Sequence, residues 1–337
     1  QCCWNEAHWQ ETAALGWSSL CLSESLGGMG FHLVAGALVA EAVGYYACPT
    51  PMVQTIAASI LLNCCHQLDP KASQRSAADE ISNGAAMVFA VSGSDGLYNS
   101  SSISVSYAQG KLNGVAPFVA DSQKAQFYIV RAATESGSRI YCVPRNISGL
   151  TVEPDVIGDL TRDQATLRFS EVEISADCLL ADETQTPSVI EQTAPAVFVL
   201  IAADCLGTCE TLLEQTAEYA RTRTQFAHVI GFYQAVKHPL VNVMVANDEA
   251  KSLIYAAACG FDHEPEAVRL QAAMAKSAAA DAAEFAASRA IQLHGGIAMT
   301  WECFIHVYAK RAIYGQYLFG DGAFHRRTVS ALMLDQV

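Results

Sequence analysis

Ile103-Ser104-Val105-Ser106-Tyr107 alternates apolar and polar side chains with a period of two, within a strand-like stretch that extends from about Ala86 to Ala181. Val88-Phe89-Ala90-Val91, Phe127-Tyr128-Ile129-Val130 and Leu167-Arg168-Phe169 are further short strand-like runs, separated by Gly, Asn, Ser and Asp turns. Residues two apart share one face of a strand, so this middle stretch is predicted to be a β domain. On either side the period lengthens to that of a helix. Before it lie Asn5 to Leu15, Leu33 to Tyr46 and Met52 to Cys65, punctuated by Gly27-Gly28, Pro49 and Pro51. After it come Val197 to Arg221, Ala235 to Cys259, Pro265 to His294, Cys303 to Leu318 and Ala323 to Leu334. Ala278-Ala279-Ala280 supplies helix propensity and room for close helix approach. Asp182 to Ser188, polar and Pro-containing, is predicted to link strand to helix. The expected fold is α+β: an N-terminal helical domain at 1–84, an antiparallel β domain at 85–184 and a C-terminal four- or five-helix bundle at 185–337.

The 337 residues are 51% hydrophobic and only 16% charged, which describes a globular chain with a large core. So few charges leave part of the outer surface to be covered by another subunit, and an oligomer is expected. A net charge of −14 with 20 Lys and Arg excludes the basic stripe that a nucleic-acid backbone requires. An anionic cofactor would have to be held by local donors. The twelve Cys include the pairs Cys2-Cys3 and Cys64-Cys65 but no C-x-x-C, which disfavours zinc. In apolar helical contexts such as Cys205 and Cys259 they are expected to be small core residues of a cytoplasmic protein. No uninterrupted apolar run reaches the ~18 residues that cross a bilayer, so no membrane association is expected. The chain opens at Gln1 already in a helical pattern, and further sequence is expected ahead of it.

Three motifs rise above composition. The first is Leu15-Gly16-Trp17, Glu24 and Gly27-Gly28-Met29-Gly30, then Glu41-Ala42-Val43-Gly44, which by itself is a helix-loop-helix with glycines for positive φ. The second is Arg223-Thr224-Gln225-Phe226 with Gln234 eleven residues after the Arg. A guanidinium is a bidentate donor for pyrophosphate, and an amide both donates and accepts; the plain alternative is a surface Arg beside a core Phe. The third is Gln292-Leu293-His294-Gly295-Gly296 at the end of the Ala-rich helix, where paired glycines either admit a ligand to the backbone or form a helix C-cap.

Taken in this order across an α-β-α chain, the motifs resemble the acyl-CoA dehydrogenase family nearly end to end. The resemblance implies that Arg223, Gln225, Phe226, Gln234, Gln292, Gly295 and Gly296 form a clamp that reaches across a subunit interface to the ADP part of a neighbour's FAD. Two glycines of the family pattern are replaced, by Ala227 and Ala298.

Other family features are missing. Gly93-Ser94-Asp95 is present without the usual preceding Thr-Glu, and Phe118-Val119-Ala120-Asp121 has Ala120 where the family places a Thr whose hydroxyl meets flavin N5. The two positions at which the family places its catalytic Glu, 26 residues before Arg223 and 27 after Gln292, hold Val197 and Phe319. Asp321 is either a displaced, shorter base or the N-cap of the terminal helix. The resemblance therefore implies a chain with no catalytic residue of its own, similar to the non-catalytic subunit of the heterotetrameric (α2β2) acyl-CoA dehydrogenases of bacterial steroid degradation. Its expected partner is a paralogous subunit that carries the catalytic Glu and binds most of a bulky acyl-CoA, with FAD shared across their interface. The alternatives are a self-sufficient homo-oligomeric dehydrogenase using Asp321, and a flavin-free scaffold or binding module.

Overall fold

The computed structural model describes residues 4–334, so the Cys2-Cys3 pair lies outside the described residues. Four helices open the chain: α1 (Glu6–Ala14), α2 (Leu33–Tyr45), α3 (Met52–Leu68) and α4 (Ala72–Ser82). Asn5 starts α1 by accepting from the backbone N–H groups of Ala7 and His8, which satisfies two donors that have no partner within the helix. Helix α4, outside the expected helices, buries Gln74, Ala77, Ala78 and Ile81 at helical spacing. It is fixed by Gln74, buried, whose amide bonds the carbonyls of Asp69 and Leu180.

Eight strands follow: β1 (Met87–Ala90), β2 (Val105–Ala108), β3 (Lys111–Ala120), β4 (Phe127–Thr134), β5 (Gly137–Pro144), β6 (Leu150–Pro154), β7 (Gln164–Glu173) and β8 (Leu179–Ala181). They make one sheet in the order β6-β7-β3-β2-β4-β5-β8. The antiparallel expectation meets two exceptions. One edge of β4 is shared between β1, parallel to it from Met87 opposite Phe127, and β2, parallel through Ser106 opposite Ala133. The long excursion between β1 and β2 allows this, because a parallel neighbour needs a connection that travels back along the sheet. Alternate residues, including Val105, Leu112, Ala116, Tyr128, Val130, Tyr141, Leu167 and Phe169, converge on a single buried core.

Helices α5 (Thr186–Thr222), α6 (Gln234–His263), α7 (Val268–His294), α8 (Ile305–Tyr317) and α9 (Gly322–Leu334) complete the chain, with a small hairpin, β9 (Thr224–Gln225) and β10 (His228–Val229), between α5 and α6. Helix α5 begins eleven residues before its expected start and runs through Pro195, absorbing part of the expected linker. One proline removes one helical hydrogen bond, and the burial of Val189, Ile190, Ala194 and Ala196 around it outweighs that loss. An 18-residue window of α5 has mean hydropathy 1.8, apolar and long enough to cross a membrane; 83% of it is buried inside the protein, as in a core helix.

The chain groups into two compact units, 1–36 with 49–157 and 162–197, and 37–48 with 158–161 and 198–337. In the second unit α2 and α5 cross with backbone against backbone. A Cβ at Gly44 would land on the carbonyl oxygen of Asp204, and one at Gly207 on that of Glu41. Beside the crossing Arg311, buried, donates to Asp204 Oδ1 through Nε (3.0 Å) and Nη2 (2.6 Å) and to Thr161 Oγ1 (2.7 Å).

Candidate functional site

The second unit gathers the two later motifs at one end of its bundle. Cys209 Sγ of α5 meets the Ala282 carbonyl of α7 at 3.6 Å, and Tyr219 stacks on His294 with ring centroids 4.4 Å apart and planes inclined by 20°. Both contacts advance in the same sense along the two helices, so α5 and α7 run parallel and finish together. Helix α6 returns antiparallel, because Gly260 near its end packs on Gln271 near the start of α7. Arg223 after α5, Gln234 opening α6 and Gln292-Gly295-Gly296 closing α7 therefore share that end.

The sequence Thr224 to Val229 forms a two-residue hairpin, His228 opposite Gln225 and Val229 opposite Thr224. Phe226 (φ +52°) and Ala227 (φ +66°) take the turn, and the two positive φ values match the right-handed twist of the arms. The hairpin is closed at its base by the Ile230 N–H donating to the Arg223 carbonyl at 2.8 Å. At its tip the Phe226 ring is 86% exposed.

At the end of α7 His294 is buried, and its Nδ1 lies 2.9 Å from the Ala290 carbonyl. Burial pushes its pKa below the usual histidine range, which keeps the stacked ring neutral. Gly295 follows at φ +66°, ψ −141°, a conformation open essentially only to glycine, and its N–H donates to Ile291. A Cβ at Gly295 or Gly296 would meet nothing within 4 Å. Both glycines are exposed, as are Arg223, Gln225, Gln234 and Gln292. Among the described residues none of these four polar side chains has a hydrogen-bond partner within the chain. One guanidinium and three amides without a carboxylate among them, beside bare glycine backbone, form a donor set suited to the diphosphate and sugar hydroxyls of an ADP group. The structure thus brings all seven predicted residues to one end and leaves them facing outward.

Val197 is 2% exposed and Phe319 3%, so both base positions are buried hydrocarbon. Asp321 Oδ1 accepts from the Phe324 N–H at 2.7 Å, which makes it the N-cap of α9. Ala120 is buried at the end of β3, and the following Asp121 is held by Lys124 (2.9 Å) and Arg162 (3.2 Å). Gly93-Ser94-Asp95 is closed on itself, Asp95 accepting from the Ser100 hydroxyl at 3.0 Å and from the Leu97 N–H at 3.1 Å.

Several organising residues escaped the sequence. Lys276 is wholly buried and donates to the carbonyls of Gly315 (2.9 Å), Gln316 (3.1 Å) and Gly320 (3.2 Å), ending α8. Burial pulls its pKa below the usual lysine range. His325 lies buried against Phe198 and Phe324. Burial, with the charge of Lys276 beside it, pushes its pKa down to about 3. A lysine in an Ala-rich helix and a histidine near a C-terminus carry no signal of these roles. Tyr219, one turn before Arg223, and Tyr233, next to Gln234, had only proximity to recommend them.

The family models for the acyl-CoA dehydrogenase N-terminal and C-terminal domains match residues 3–72 and 198–334. Acyl-CoA dehydrogenase IpdE2 of Mycobacterium tuberculosis is 31% identical over 298 residues, 88% of this chain and 77% of that protein. Among solved structures, the ChsE4-ChsE5 complex from Mycobacterium tuberculosis aligns with TM-score 0.85 at 22% identity, over 99% of this chain and 90% of the matched one. A Tcur3481-Tcur3483 steroid ACAD variant aligns with TM-score 0.84 at 22% identity, over 98% and 89%. At such identities the structural likeness establishes the fold.

Proposed function

This chain belongs to the acyl-CoA dehydrogenase family of flavin-dependent oxidoreductases, and from that premise we propose that it is the non-catalytic subunit of a hetero-oligomer, completing the FAD site of a paralogous partner. The observation that carries the proposal is a division of labour: the ADP-type donors are intact and turned outward, while both base positions are buried hydrocarbon. FAD, when bound, accepts the hydride lost in α,β-dehydrogenation of an acyl-CoA. In this scheme Arg223 neutralises the diphosphate, Gln225, Gln234 and Gln292 bond its flanking hydroxyls and ring edges, and Gly295-Gly296 admits it to the backbone. Phe226 supplies an apolar cover at the tip. The proton is taken by the partner, since Val197 and Phe319 can hold none and Asp321 is spent on a helix cap. A bulky, steroid-type acyl-CoA is the proposed substrate class, supported by the likeness to a steroid ACAD. The assembly is proposed to work in the cytoplasm.

The test is co-expression. The chain purified alone is expected to bind little FAD and to show no dehydrogenation, and adding a Glu-bearing paralogue restores both. In that complex Arg223→Ala should lower flavin occupancy, read by absorbance, because it removes a charge-assisted contact of about 1.5–3 kcal/mol. Full turnover by the isolated chain, or unchanged flavin content in the variant, refutes the assignment; the latter outcome is what a flavin-free scaffold gives.

A further inference from the structure

The exposed hairpin that carries Gln225 and Phe226 has a turn its sequence disfavours. Two consecutive positive φ values are natural for Asn, Asp or Gly, and here they fall on Phe226 and Ala227. Packing gives the turn itself little support: Phe226 is almost wholly in solvent and both arms are exposed, with His228 of the trailing arm stacked on Phe232 at 4.3 Å. What does reach it is Tyr233. Its hydroxyl lies 3.2 Å from the Gln225 carbonyl and 3.1 Å from that of Phe226, spanning the leading arm and the turn. Its ring meets those of Phe226 and His228 edge-on at 6.5 and 6.4 Å. Behind it Gly231 packs against the Ala220 carbonyl of α5, so the far side of the loop is anchored.

We propose that Tyr233 is a positioning residue of the dinucleotide clamp, its hydroxyl holding the strained Phe226-Ala227 turn in the binding conformation before the ligand arrives. The proposal rests on the clamp assignment above. A phenylalanine at this position would keep the ring and lose the two carbonyl contacts, so the hairpin would populate other turns and ligand binding would have to order it. The hydroxyl touches no ligand in this scheme; it acts through the backbone that presents Gln225 and Phe226.

The experiment uses the full chain and its co-expressed complex, with FAD as the probe, and four forms: wild type, Tyr233→Phe, Ala227→Gly and the double variant. Amide hydrogen exchange over residues 224–229 should be about fivefold faster in Tyr233→Phe, and FAD should bind about three- to tenfold more weakly to the apo-complex. Ala227→Gly removes the strain from the second turn residue, so the double variant should return to within about twofold of wild type in both measurements. The melting temperature should stay fixed throughout, because the hairpin is outside the core. Wild-type exchange in Tyr233→Phe overturns the proposal, as does weaker FAD binding with unchanged exchange, which would make the hydroxyl a direct ligand contact. Failure of Ala227→Gly to rescue overturns it too. Arg223→Ala separates the two levels: if it lowers FAD affinity and Tyr233→Phe does not, only the hydroxyl's role falls. If Arg223→Ala also leaves affinity unchanged, the clamp assignment fails and takes this inference with it.

Discussion

Replacing Lys276 by Met tests how the turn containing the second base position is built. The ammonium is fully buried and is shared among the Gly315, Gln316 and Gly320 carbonyls at 2.9, 3.1 and 3.2 Å. Methionine fills a similar volume but donates nothing. Each orphaned buried carbonyl costs about 1–3 kcal/mol, so three give roughly 3–9 kcal/mol before compensation. Burying an ammonium is itself costly, several kcal/mol after relaxation, and the variant is relieved of that cost. The net expectation is a loss of about 2–4 kcal/mol. Urea unfolding followed by circular dichroism reads it as a lower midpoint with an unchanged slope. Lys276→Arg should not rescue, because the planar guanidinium cannot point three donors at a helix end inside this space. A loss below about 1 kcal/mol in Lys276→Met would refute the account and mean that the carbonyls find other donors.

Three further outcomes are expected. His325 binds its proton far more weakly folded than unfolded, so the unfolded state takes up more protons below the ordinary histidine pKa. Stability is therefore full above about pH 6.5 and declines as the pH falls toward about 3, by on the order of 3–5 kcal/mol, and His325→Phe should flatten that part of an acid-unfolding curve. Asp321→Ala should lose about 1 kcal/mol of stability as a missing N-cap while turnover of the complex stays within about twofold, whereas a collapse of the rate at constant stability would revive Asp321 as the base. Arg311→Met removes both guanidinium donors from the buried Asp204 carboxylate and should destabilise by about 3–5 kcal/mol in thermal or urea unfolding, and an unchanged midpoint would show the pair to be dispensable.

Much of this molecule is legible in its sequence where one physical rule acts alone. The alternating stretch at 167–169 lies in β7 and the helical period from 235 to 259 in α6, because burial of one face decides both, while the apolar run at 127–130 is β4, buried on both faces. The expectation failed where tertiary contacts overrule a local signal. Pro195 looks like a boundary and lies inside α5, held by apolar neighbours on both sides. Helix α4 buries Gln74, Ala77, Ala78 and Ile81 at helical spacing, but this stripe is small and partly polar, and Gln74 ties it to chain far away in sequence. The parallel placement of β1 against β4 depends on pairing between segments forty residues apart, which no local spacing encodes. In the site, the residues with ligand-type side chains could be nominated from the family resemblance. Tyr219, Tyr233, Lys276 and His325 could not, since each acts only on another part of the same chain.

The crossing at Gly44 and Gly207 bears on how variation in this protein should be interpreted. Each glycine faces the other helix's peptide groups with no gap, so even a methyl group must push two long helices apart. In a saturation library these two sites would be as intolerant as any residue at the cofactor clamp, although neither performs chemistry. Loss of yield at either would be mistaken for loss of catalysis unless protein abundance is scored separately, which makes them natural control positions for telling a folding defect from a functional one.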